Sequence, residues 1–196
     1  MLNAFHRGMC MRQYSELVGK YVEATGFSGI EVAYSVKLVQ RLRQLKAPKV
    51  ALQVFDDRLV ATWEHLYFAV LNAYLAFMEK QNISRSVEVE TMLYASAQRQ
   101  IRKALEVFGV KTGASSLALV LAGSADDVAV TLQKVAAFLH AEPNEALLEL
   151  TEEKARNIRI VFGVTALELE TRCRKNPHRA LVDAVVERMA LLPAKV

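Results

Sequence analysis

Apolar and polar positions change period several times along the chain. "KYVEATGFSGI" alternates loosely and ends in a Gly-bearing turn, which predicts a first strand. From Glu31 to Lys46, residues Val32, Val36, Val39, Leu42 and Leu45 recur at helical spacing with basic residues on the other side. That spacing predicts an amphipathic helix stopping before Pro48. "KVALQVFDD" is short, apolar and rich in β-branched and aromatic residues, so it predicts a strand buried on at least one face. Arg58 to Asn82 has no Gly or Pro and is apolar nearly all round, which predicts a long buried helix at the centre of the core.

"VEVETMLYA" alternates and is expected to form a further strand, leaving the sheet at Ser96 and Ala97. "QRQIRKALEVFG" then reads as a helix capped by Ser96, with Gly109 at a left-handed C-cap. "SSLALVLAG" is another buried strand, and "SADDVAVTLQKVAAFL" opens with Ser124 and Asp127 spaced as a capping box. Strands alternating with helices imply a sheet covered by helices. After Pro143 the strand signals stop. "LTEEKARNIRIVFGV", "TALELETRCRK" and "NPHRALVDAVVERMALL" read as three short helices, N-capped by Thr151, Thr165 and Asn176, with Pro177 at a first helical position. The two "FGV" copies are each a helix ending at Gly before an apolar residue tucks back, not a duplication. The fold class is therefore α/β, with residues 21–196 as one domain that turns helical from about 145 and residues 1–20 as an N-terminal extension.

A chain of 196 residues with 53% apolar content can bury a substantial core. Lys and Arg number 25 against 21 Asp and Glu, a net +4 that permits a polyanionic partner without demanding one. Cys10 and Cys173 stand far apart without metal spacing, as expected of two free thiols in a reducing cytoplasm. The opening "MLNAFHRGMCMRQ" lacks the apolar core of a signal peptide, and no apolar run approaches the roughly 20 residues of a membrane helix. The reading is a soluble, cytoplasmic protein, with Met9 and Met11 leaving a later natural start open.

Much familiar chemistry has no counterpart in the sequence. Gly8, Gly19, Gly26, Gly29, Gly109, Gly113, Gly123 and Gly163 spell neither dinucleotide nor P-loop fingerprint. His6, His65, His140 and His178 are scattered without metal-ligand spacing, and no nucleophile elbow is present, so neither cofactor nor metal is expected. Glu64 and His65 are the one adjacent acid and base, but neighbours on a helix point about 100° apart, which favours structural roles. Trp63, Tyr67, Phe68, Tyr74 and Phe77 read as core packing.

The stretch "NISRSVEVETMLYASAQRQIRKALEVFGV", Asn82 to Val110, is where binding chemistry concentrates. Arg99 is expected in the first turn of a helix, where acids are favoured; a cation there suits a site in which an anion completes the positive end of the dipole. Arg102 and Lys103 extend the charge, and Asn82, Ser84, Arg85 and Ser86 form a polar loop entering the strand. On this pattern a phosphate or ribose held between the two segments and a merely solvated face both stay open.

"FDDRLVATWEHLYFAVLNAYLAF", this stretch, "LALVLAG" and "LTEEKARNIRIVFGVTALELE" together resemble, in order, the kinase-binding regulatory subunit of the KEOPS complex in its archaeal form, from about Tyr21 to Leu192. The resemblance implies a small mixed sheet of about four strands surrounded by helices. It also implies a noncatalytic subunit that binds and supports a small kinase-like ATPase and recruits tRNA through its CCA end. The complex modifies tRNA to threonylcarbamoyladenosine through a separate catalytic transferase subunit, an indirect partner. Carried over from the matched motifs, Asn82, Ser84, Arg85, Arg99 and Gln100 are the expected tRNA contacts, with Arg102 and Lys103 as further contributors. Arginines would neutralise phosphates, and the amides and hydroxyl would meet sugars and base edges. Many relatives have Gly where Ala97 stands, which matters if the turn needs positive φ. The kinase-contacting surface is left unassigned. Two competing readings are a DNA-binding module using the C-terminal helices, supported by Arg172, Arg174, Lys175 and Arg179, and a small-molecule enzyme, which would need a pocket with perturbed acids or bases.

Overall fold

A computed structural model describes residues 12–173 and 176–192; Cys10, Arg174, Lys175 and the side chain of Cys173 lie outside the described set. Strands β1 (Arg12–Ser15), β2 (Lys20–Ser28), β3 (Ala51–Phe55) and β4 (Ser116–Gly123) form a single sheet in the order β1-β2-β4-β3. Every neighbouring pair is antiparallel. The mixed sheet is thereby corrected: β2 and β3 do run the same way, but β4 inserts between them and pairs antiparallel with both. Residues Leu117 to Gly123 of β4 are all buried, because helices cover both faces of this central strand; its run is accordingly apolar without alternation.

On one face, α1 (Ser35–Leu45) and α5 (Ala125–Leu139) enclose a core of Phe27, Leu42, Leu52, Val54, Leu117, Leu119 and Leu121. On the other, α2 (Trp63–Met78), α3 (Val87–Ser96), α4 (Ile101–Phe108), α6 (Glu152–Phe162), α7 (Ala166–Cys173) and α8 (Pro177–Ala190) build the larger core. β1 lies in the expected N-terminal extension and covers only the first part of β2. Further along that edge, Asn144 donates to the Gly26 carbonyl at 2.8 Å and accepts from its N–H at 3.2 Å. A Cβ on Gly26 would lie 2.5 Å from that of Leu147, so only glycine lets the 3-10 turn Glu145–Leu148 dock there.

Several expected caps are present. The Ser124 hydroxyl accepts from the Asp127 N–H and donates to its carboxylate; Thr151, Thr165 and Asn176 accept from the N–H of Lys154, Glu168 and Arg179. Gly163 ends α6 at φ +63, left-handed as its "FGV" predicts. Gly109 does not: its φ is −69, and it stays small because a Cβ would lie 2.5 Å from the Leu105 carbonyl oxygen.

"VEVETMLYA" is helix α3, not a strand. The alternation covers only its first turn, where Ser86 caps and Glu88 and Glu90 suit the helix dipole. From Glu90 to Ser96 every residue is buried, a pattern a half-exposed strand cannot satisfy. Ser96 is correspondingly the last helical residue, its hydroxyl donating back to the Met92 carbonyl at 2.8 Å, and not a cap for the next helix.

His65 joins these elements. It is fully buried between the rings of Phe108 and Phe162, at 5.7 and 5.8 Å. Its Nδ1 accepts from the Ala61 N–H at 3.1 Å, so Nε2 carries the proton and donates to the Ala95 carbonyl at 2.8 Å. Burial holds the imidazole pKa down at about 4; the Ala95 bond opposes this shift and the Lys154 charge adds to it. The folded imidazole is therefore neutral near pH 6.5, where that of the unfolded chain protonates. Stability contributed by His65 is complete above pH 6.5 and falls by roughly 3 kcal/mol as pH drops toward 4. Urea unfolding between pH 7 and 4 should show this loss, and a His65→Gln variant should lack that component of the pH dependence.

Candidate functional site

Helix α3 organises the expected site residues by carrying one group at each end. At its N-terminus the Ser86 hydroxyl accepts from the Val89 N–H. The buried Glu90 carboxylate takes the Ile83 N–H at 3.1 Å from each oxygen and the Ser84 N–H at 2.7 Å. The Ser84 hydroxyl donates to the Ser86 carbonyl, and the Asn82 amide donates to the Ser84 carbonyl, both at 2.8 Å. Asn82 and Ser84 thus spend these donors on shaping the loop, and Ser84 is only 3% exposed. Arg85 is left exposed at the loop's crest, without an ion pair among the described residues.

At the other end α3 stops in a Schellman turn: the Ala97 N–H donates to the Tyr94 carbonyl and the Gln98 N–H to the Leu93 carbonyl. Ala97 sits at φ +50, ψ +34, so the turn does need positive φ and pays a steric cost for its Cβ. Arg99 follows, exposed, with its guanidinium donating to the Leu192 carbonyl beyond α8 at 3.4 Å. It stands just before the first turn of α4; Gln100 is the exposed N-cap, without a side-chain capping bond. Arg102 and Lys103 occupy that first turn, which contains no acid, and Arg102 reaches Glu106 at 3.4 Å from a side chain 92% exposed.

The ten residues of α3 separate the two ends by about 15 Å. The loop of Arg85 and the turn before Arg99 therefore stand at opposite ends of a helix rather than of a strand. Sequence reasoning missed Glu90, which closes the loop, and the bridging role of His65, which holds Ala95 at the base of the turn. A carboxylate four residues after a capping serine and a lone imidazole in an apolar helix were the available signals.

The two bases with strongly lowered pKa values are enclosed in the fold. His65 spends both ring nitrogens on backbone, and Lys154, buried and brought down to about 8 against the pull of Asp57, Asp56 and Glu149, donates to the Leu147 carbonyl at 2.8 Å. Glu64 lies in the fold's architecture too, paired with Arg179 at 2.9 Å. In the C-terminal helices, Arg179 also meets Asp183, Arg172 meets Glu168 and Glu187, and Arg188 holds the Glu168 carboxyl below its usual range through a hydrogen bond. Helix α8 buries Ala180, Leu181, Val182, Ala184, Val185 and Met189. A DNA groove would find the arginines of that reading, where described, already matched with carboxylates.

The fold defines a class: an α/β protein with an antiparallel sheet covered by helices, which here presents basic, hydrogen-bonding groups on a pinned loop and turn. The chain belongs to the CGI-121 family, since the family model described as "Kinase binding protein CGI-121" matches residues 30–193. It is 27% identical over 143 residues to the "Regulatory protein Cgi121" of Methanocaldococcus jannaschii, covering 73% of this chain and 83% of that protein. Among the described residues no helix is long and apolar enough to cross a membrane.

Two consequences of this geometry are measurable. Ala97→Gly removes the left-handed strain and should raise stability by about 0.5–1 kcal/mol, seen as a higher urea midpoint at unchanged slope. Glu90→Gln removes the charge and one acceptor from the loop; it should cost about 1–2 kcal/mol and speed amide exchange at Ile83 and Ser84, while amides of β4 keep their protection.

Proposed function

We propose that this kinase-binding regulator is the noncatalytic subunit of a KEOPS-type assembly that supports a small kinase-like ATPase and recruits tRNA by its unpaired CCA end. The observation that carries the reading is the α3–α4 turn. There the left-handed Ala97 sets exposed Arg99 and Gln100 at the start of a helix whose first turn is basic and lacks a side-chain cap. Backbone N–H groups at such a helix start, together with Arg99, Arg102 and Lys103, suit an oligonucleotide phosphate. The loop at the other end of α3 adds Arg85, and the separation of about 15 Å suits a short single strand better than a mononucleotide. Asn82 and Ser84 support this mainly by fixing the loop, with Gln100 as the amide directed to sugar or base. The resemblance and the family both supply the kinase partner, whose ATPase and whose catalytic neighbour would perform the chemistry of tRNA threonylcarbamoylation.

Binding of the isolated protein to intact tRNA and to the same tRNA without its CCA end, at one fixed near-physiological salt concentration, tests the reading. Trimming is expected to weaken binding on the order of tenfold, and Arg99→Ala to produce a similar loss on intact tRNA with little further effect on the trimmed form. Equal affinity of the wild type for both RNAs would sink the CCA assignment.

A further inference from the structure

Five of the chain's 25 Lys and Arg residues, namely Lys37, Arg41, Arg43, Lys46 and Lys49, fall between Ser35 and Val50, where there is no Asp or Glu. The other 20 face all 21 acids, so the net +4 of the whole chain comes from this segment. The fold lays these charges out as a strip. Leu38, Val39, Leu42 and Leu45 anchor α1 on the core of its sheet face, which turns Lys37, Gln40, Arg41 and Gln44 to solvent. Arg43 reaches over the open edge of the sheet: its guanidinium donates at 3.5 Å to Gln53 of β3, whose side chain points to the opposite face from Leu52 and Val54. Lys46 crosses the same edge to Glu88 in the first turn of α3, at 3.4 Å. Glu88 lies just beyond the loop that displays Arg85. Basic groups therefore run from the outer face of α1, across the β3 edge, to one end of the candidate site.

An ordinary solvated helix mixes signs at i,i+4, as Arg102 and Glu106 do on α4. On α1, Lys37 and Arg41 are instead like charges at i,i+4, an arrangement that slightly destabilises the isolated helix. Among the described residues neither pairs with an acid: Lys37 lies 4.7 Å from the centroid of the Tyr34 ring, and Arg41 donates to Gln44 at 3.4 Å. Uncompensated cations interleaved with glutamines fit a phosphate backbone, where each contact releases counterions and the amides can meet sugars. A membrane surface fits less well, because most of the helix's apolar stripe is packed on the sheet, which leaves only Val36 and, just before the helix, Tyr34 as large exposed apolar side chains there.

We propose that the α1–β3 edge strip is a second, sequence-independent contact for RNA. This rests on the tRNA reading above: the loop and turn of α3 take the unpaired end, and the strip takes backbone phosphates of the adjoining duplex. A Lys37→Gln, Arg41→Gln, Lys49→Gln variant tests it, with Arg43 and Lys46 left in place because they tie α1 to β3 and α3. Glutamine preserves helix propensity, and circular dichroism and thermal unfolding check the fold. The variant should lose affinity for intact and CCA-trimmed tRNA by the same factor, on the order of tenfold, and its log–log salt slope should fall by about 2–3. Unchanged affinity and slope, with CCA discrimination intact, would overturn the strip and leave the end-binding reading standing. A loss confined to intact tRNA would also overturn it, since the strip would then belong to the end site. If the wild type binds both RNAs equally, the CCA reading fails and the strip still stands or falls on the variant's loss. If the wild type binds neither, both fail. Binding to phosphatidylserine vesicles that is abolished in the variant, with RNA binding unaltered, would overturn the proposal in favour of a membrane contact.

Discussion

The neutral imidazole of His65 is the constraint on which the arrangement of the site depends. It hydrogen-bonds both the segment leading into α2 and the end of α3, and it does so fully buried between two aromatic rings. Its two backbone partners, Ala61 and Ala95, fix where α3 stops relative to α2. Once Ala95 is fixed, the Schellman turn follows within two residues and sets the direction in which Arg99 and α4 leave. The opposite end of α3 is set by another buried polar group, the Glu90 carboxylate, which meets two backbone N–H groups of the loop. Burying either group is tolerable because its polar atoms are engaged. The exposed site residues owe their positions to these inner ones.

That dependence explains what was legible in the sequence. Helices with strong end signals were readable: Ser124, Thr151, Thr165 and Asn176 cap as their spacing indicates, because a cap is a local interaction between residues three apart. The continuous apolar runs of β3 and β4 were readable because both faces of those strands are covered. α3 was misread because four alternating residues at its start imitate a strand, while the decisive feature, burial on all sides from Glu90 onward, depends on α2 and α8 packing around it. β1 carried no signal, being four residues long with two of them exposed. The sheet kept its expected number of strands because one was lost and another gained. Of the expected site residues, Arg85, Arg99, Arg102 and Lys103 stood out by charge pattern and Gln100 through the family resemblance, and the structure exposes each of them. Asn82 and Ser84 came from the same motif, but their side chains donate to loop backbone, which a motif cannot distinguish from ligand contacts.

The distribution of paired and unpaired charge separates the chain into two kinds of surface. In the C-terminal helices Arg172, Arg179 and Arg188 each meet carboxylates of α2, α7 or α8, so their charge is spent within the fold, fixing how those helices lie. Exposed pairs of this type add little stability but do specify geometry. Between Ser35 and Val50, by contrast, acids are absent, and among the described residues the one carboxylate contact, Lys46 with Glu88, links layers across the sheet edge while Lys37, Arg41 and Lys49 have no ion pair. A modest net charge of +4 averages over these two regimes and so understates the local field at the β3 edge. Because screening makes charges matter over roughly 8 Å at physiological salt, it is the local excess that a polyanion meets. Arg172 and Arg179, conspicuous in sequence, are already held by carboxylates, and a cation so held must break that pair before it can neutralise any other anion.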